Sequence, residues 1–171
     1  MAVVNLAALS CAFGAGWRSS TLKGEQLHPP RTGGTPYDAA AALEDARTVL
    51  AINCRVLFWI VLLGMFSAGA YGLALLGVNG YGIGYALAAV SRASPAAFWY
   101  ALSYAPLEFA AFVAANCAAQ MITCSCLDWL RERPASDARA ALAVVACASL
   151  VLVVAAGLEA HAIQSFGSVA P

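Results

Sequence analysis

Apolar residues run through this chain in long blocks separated by short polar ones. From Thr48 to Leu76 only Asn53 and Arg55 interrupt the run. As a single helix it would rise about 43 Å, more than the roughly 30 Å of a bilayer core, so Arg55 can snorkel to the headgroups. The next stretch, Gly77 to Tyr85, carries Gly77, Gly80, Gly82 and Gly84 and leads into an apolar run that ends at Arg92. That run is too short to span alone, and the pattern predicts a re-entrant or half-membrane hairpin. Ser94 followed by Pro95 is a helix start, a capping hydroxyl ahead of a ring whose fixed φ suits the first helical position. The chain then stays apolar to Trp129, but Pro106 and Glu108 interrupt it, which predicts a broken or kinked segment. Arg131 to Pro134 closes that segment. Ser136 caps a last helix expected from about Asp137 to Ile163.

The ends read differently. Met1 to Trp17 is apolar with no Lys or Arg before Arg18, so it lacks the charged start of a secretory signal. It is expected as a short helix in or against the membrane. Residues 18–36, with Pro29, Pro30, Gly33, Gly34 and Pro36, read as a linker, after which Asp38 can cap a lead-in helix through Arg47. The organisation expected is an N-terminal segment with linker and lead-in helix (1–47), a transmembrane domain (48–166) and a short tail (167–171). The fold class is all-α, a polytopic transmembrane helical bundle with a broken or re-entrant glycine-rich segment.

Composition supports this reading. Of 171 residues, 62% are hydrophobic and 11% charged, and the mean hydropathy is +0.76, values of an integral membrane protein. Nine basic residues balance nine acidic ones, so no basic excess points to nucleic acid. Most charges lie between Arg18 and Arg47 or between Asp128 and Arg139. Under the positive-inside rule both segments are expected on the cytoplasmic face of a bacterial membrane. That requires an even number of crossings between them and sends the uncharged C-terminus outward; a count with a further crossing at the N-terminus is the alternative. Six cysteines fall mostly in apolar stretches and act there as small hydrophobes. Cys124 and Cys126 point to different helix faces and have no neighbouring His, so no metal or other cofactor is expected.

Glu108 and Glu159 carry the candidate chemistry. A carboxylate at mid-bilayer must be paired, protonated or hydrated, so each marks either a proton or substrate role or a packing role through the glycine-rich turn, Arg55 or Arg92. Asn79 and Gly80 could turn the backbone inside the protein, as broken helices do in transporters. Asn53 and Asn116 are expected to hydrogen-bond between helices, and Gly64, Gly69 and Gly72 to permit close helix contact. His161, near the end of the last helix, reads as an interfacial residue. Tyr81, Tyr85, Trp99, Tyr100 and Tyr104 read as an aromatic belt.

Asn53 near the start of a long helix, Asn79-Gly80 with Gly84, Glu108 among small residues, and Leu158-Glu159-Ala160 near the C-terminus together resemble the stage II sporulation protein M family of bacterial membrane proteins. The resemblance covers roughly residues 48–166. Where family members carry P-H-G-x-x-E, this chain reads Ser103-Tyr104-Ala105-Pro106-Leu107-Glu108 and keeps the Glu alone. The resemblance implies a multi-helix membrane subunit without catalytic activity of its own that holds partners together in a hetero-complex. Those partners are peptidoglycan-degrading proteins in sporulation or, for divergent relatives, proteins that modify and export ribosomally made peptides such as circular bacteriocins.

Three functions follow for testing. The first is a scaffold, favoured by the resemblance. The second is a transport subunit with a path lined by Glu108 and Glu159. The third is an intramembrane enzyme with a glutamate as acid or base, although one or two carboxylates do not make a mechanism.

Overall fold

The computed structural model describes residues 2–23, 39–131 and 138–166. These residues form five helices, α1 (Ala2–Lys23), α2 (Ala39–Phe66), α3 (Ala70–Ala93), α4 (Pro95–Leu130) and α5 (Ala138–Phe166). There is no strand among them. The last four are long and apolar enough to cross a membrane, as expected of a multi-pass membrane protein. The Pro-rich linker, the caps at Asp38 and Ser136 and the tail lie outside the described residues.

The break in the first long apolar run falls earlier than the glycine-rich stretch. Helix α2 ends at Phe66, and Ser67, Ala68 and Gly69 turn the chain into α3, with φ of 52° at Ala68 and 93° at Gly69. Such left-handed backbone is cheap for glycine and costly for alanine. Local bonds hold it: the Gly69 amide donates to the Gly64 carbonyl at 2.7 Å, and the Ser67 hydroxyl donates to Leu63 O at 2.7 Å. The same hydroxyl accepts from the Tyr71 amide at 2.9 Å. Thr123 of α4 adds a bond from its hydroxyl to the Met65 carbonyl at 2.7 Å. In this way carbonyls left over at the end of α2 find donors.

The glycine-rich stretch is therefore not re-entrant. It lies in the middle of the continuous helix α3. Its glycines serve helix docking: a Cβ at Gly84 would stand 2.2 Å from the Phe13 carbonyl oxygen, and one at Gly80 2.7 Å from Leu9 Cδ1. Reciprocally, a Cβ at Gly16 of α1 would stand 2.0 Å from the Tyr81 carbonyl oxygen. Gly80 and Gly84, four residues apart, form a small-xxx-small face that admits α1 at backbone distance. Helix α1 runs parallel to α3, and Arg92 donates to Ser20 O and Oγ at 3.0 and 2.7 Å near their ends. The N-terminal helix thus continues through Arg18 to Lys23, into the stretch read as linker, and packs lengthwise on the bundle.

Helix α4 begins as expected, with Ser94 Oγ accepting from the Ala97 amide at 3.2 Å and Pro95 in the first turn. It is one helix rather than a broken segment, and it carries Pro106 in its interior. Proline removes one N–H from the ladder; the flanking turns and neighbouring helices keep the rod intact. Small residues face α5 from α4 (Ala111, Ala115, Ala118) and α4 from α5 (Ala148, Ala155, Ala156), all buried. Ile60, Leu76, Phe112 and Leu152, one from each of α2 to α5, form a fully buried layer. Large apolar residues such as Phe58, Val78, Leu150 and Val154 are exposed on the outside, where a bilayer would cover them.

Helices α2 and α4 point one way, and α1, α3 and α5 the other. Three long helices, not two, separate the start of α2 from the end of α4. The start of α2 and the end of α4 therefore lie at opposite ends of the bundle, whereas the charge pattern predicts a shared face for the basic segments on either side.

Candidate functional site

The polar residues of α2, α3, α4 and α5 converge in the half of the bundle nearer the start of α2. Glu108 is only 6% exposed. It sits half a turn after Pro106, facing inward from α4, and Asn53 of α2 donates from Nδ2 to its Oε1. Glu159 of α5 lines the same cavity as Glu108. Asn79 of α3 completes the group, its Nδ2 donating to the Leu75 carbonyl at 2.9 Å. These four side chains line a cavity of about 170 Å³, with Val49 and Phe112 at its edges. Phe112 belongs to the buried apolar layer with Ile60, Leu76 and Leu152, which lies from there toward the α2–α3 turn. Above it, Gln164 of α5 donates to Asp45 Oδ2 of α2 at 2.8 Å.

The sequence had singled out all four residues of this group, and the structure brings them together. Other candidates fall elsewhere. Gly80 and Gly84 contact α1 rather than the cavity. Arg55 is exposed on α2, and Arg92 is engaged by Ser20, so the partner of Glu108 from α2 is Asn53 rather than either arginine. His161 is exposed on α5 with its ring 6.2 Å from that of Tyr100. Tyr104, expected in an aromatic belt, packs instead with the buried cluster of Leu87, Ala101 and Ala105, close to both carboxyl groups.

A second polar cluster lies deeper, toward the α2–α3 turn. Asn116 of α4, fully buried, donates from Nδ2 to Asn5 Oδ1 of α1 at 3.1 Å, and Asn5 donates from its own Nδ2 to Cys117 Sγ at 3.3 Å. Asn116 Oδ1 packs directly on glycine: a Cβ on Gly72 would stand 1.9 Å from it and one on Gly64 3.2 Å. Gln120, one turn on, packs its amide against Gly69. The buried oxygens Asn116 Oδ1 and Gln120 Oε1 have no hydrogen-bond partner; glycine Cα–H groups facing Asn116 supply weak donors. The expected roles of Asn116 and of Gly64, Gly69 and Gly72 are thus met in one interface. Asn5 was missed, although a lone amide in the otherwise apolar start of α1 was a signal for it.

Comparison with known proteins identifies this architecture. The family model for stage II sporulation protein M, SpoIIM, matches residues 2–162. The match takes in α1 as well as the four long spans, and the chain belongs to that family. No curated protein and no solved structure matches the chain.

Proposed function

We propose that this SpoIIM-family membrane protein is a non-catalytic subunit that scaffolds partner proteins in a membrane complex. The observation that carries this reading is the use of the buried polar groups as fasteners. Asn53 joins α2 to α4 through Glu108, Asn116 joins α4 to α1 through Asn5, and Phe112, which lines the cavity beside Glu108, belongs to the buried apolar layer with Ile60, Leu76 and Leu152. Amides and carboxyls placed this way fix the relative positions of helices and hence the shape of the outer surface offered to partners. Partners of two classes follow from the family resemblance, cell-wall hydrolases or proteins that modify and export a ribosomally made peptide.

The test is purification of the tagged protein from its native host in mild detergent, with mass spectrometry of what stays bound. Stoichiometric wall hydrolases or peptide-modifying proteins would support the scaffold and choose between the classes. A monodisperse protein that purifies alone would overturn it.

A transport role is the second reading, favoured by the cavity of about 170 Å³ that Glu108, Glu159, Asn53 and Asn79 share. It requires the apolar layer beneath the cavity to open. Under this reading Glu108→Gln stops flux while the complex stays intact; under the scaffold reading the variant that keeps the complex keeps its function.

A further inference from the structure

Helix α1 lies along α3 and meets α4 at points spaced down its length. Asn5 bonds Asn116 and Cys117 at one end, and at the other the Trp17 ring lies edge-on to Phe98, centroids 6.0 Å apart. Between them Phe13 meets Phe109 edge-on at 6.0 Å. Beside this ring pair is a cavity of about 280 Å³ bounded by Leu9, Ser10 and Phe13 of α1, Leu87 of α3, and Leu102 and Pro106 of α4. Ser10 and Pro106 are exposed, so the cavity is a groove open to the surroundings of the bundle.

We propose that this groove is a binding site for a single hydrocarbon chain of a membrane lipid. One wall comes from α1, and the others come from the apolar spans of α3 and α4, which puts the bilayer interior at its mouth. Apart from the Ser10 hydroxyl its lining side chains are apolar, and an unfilled groove would forfeit their dispersion contacts. Its dimensions select the occupant. The contacts at Asn5, Phe13 and Trp17 hold α1 close to α4, which leaves no room for another helix of about 10 Å diameter. A hydrocarbon chain is far thinner than a helix, and the bilayer at the mouth of the groove supplies it. This site is independent of the scaffold reading, because it requires no protein partner.

The test places the full-length protein in vesicles of phosphatidylethanolamine and phosphatidylglycerol doped with a phospholipid that carries a photoreactive diazirine at mid-chain. Labelled peptides are then mapped. Label concentrated on residues 9–13 and 102–109, above the level on outer faces such as Val78, is the expected result. Ser10→Trp, which fills the groove, brings that label down to the outer-face level, while Gly14→Trp, at a position with open space around it, leaves it unchanged. Folding is judged by monodisperse elution, and Ala105→Leu serves with the same readout if Ser10→Trp does not fold. Even labelling of groove and outer faces, or undiminished groove label in a folded filling variant, would overturn the proposal.

Discussion

Asn53 holds Glu108 from a neighbouring helix, and the cost of losing that bond falls on a carboxyl that is almost wholly buried. A buried polar group left without its partner costs about 1–3 kcal/mol. Asn53→Leu is therefore expected to lower the thermal midpoint in detergent by several degrees, since about 1 kcal/mol moves a chain of this size by roughly 2–4 °C. Glu108→Gln keeps a side chain that can pair with the Asn53 amide and is expected to shift the midpoint less than Glu108→Leu; equal losses for the two would show that this bond does not hold the helices. Asn116 gives a sharper case, because its oxygen occupies the space a methyl on Gly72 would need. Gly72→Ala is expected to destabilise the protein, and Asn116→Ala to rescue part of that loss in the double variant. The coupling in a double-mutant cycle measures it; purely additive effects would refute the steric account.

At the scale of elements, docking of α1 on α3 rests on backbone proximity at Gly16, Gly80 and Gly84. Gly84→Leu is expected to push α1 off, so that a protease removes residues 2–23 from the purified variant much faster than from wild type, whereas Gly82→Leu, with open space around it, leaves the rate unchanged. These glycines explain why the sequence was legible in part. The apolar character of the chain, the Ser94-Pro95 start and the last helix were readable because length and caps report on the helix itself, whereas the run from Thr48 to Leu76 was read as one crossing and holds the end of α2 and the start of α3. Gly77 to Tyr85 was misread because glycine serves both a turn and a close helix contact, and only the neighbouring helix decides between them. The actual turn, at Ser67 to Gly69, was hidden because it depends on a left-handed Ala68, a conformation that the residue type disfavours. The break expected at Pro106 does not occur for a related reason: packing against neighbouring helices keeps helical a segment that proline alone would interrupt. The carboxyl and amide cluster was readable residue by residue, since polar side chains in apolar runs need partners. That Asn53 rather than an arginine serves Glu108 required the register of α2 against α4.

For the whole molecule, the direction of the helices turns the charge pattern into a topology. The end where α1 finishes and α2 begins carries Arg18, Lys23 and Arg47 together with Arg92, and the opposite end carries Arg131 and Arg139. In the sequence, Arg31 lies between α1 and α2 and Arg133 between α4 and α5. If α2, α3 and α4 each cross, the two ends are expected on opposite sides of the membrane, and the excess of Lys and Arg favours the α1–α2 side as the inner one. Helix α5 returns to that same end, as the bond from Gln164 to Asp45 requires, so the C-terminus is expected inside. A reporter fused after Pro171 that is active only in the cytoplasm should therefore be active, and the same reporter fused after Arg131 should be silent, with a reporter active only outside giving the reverse. Activity of the cytoplasmic reporter at both positions would mean that α5, the helix between them, fails to cross. Activity after Arg131 with silence after Pro171 would keep the four crossings and invert the bundle, and partners bound at the α4–α5 loop would then lie inside the cell.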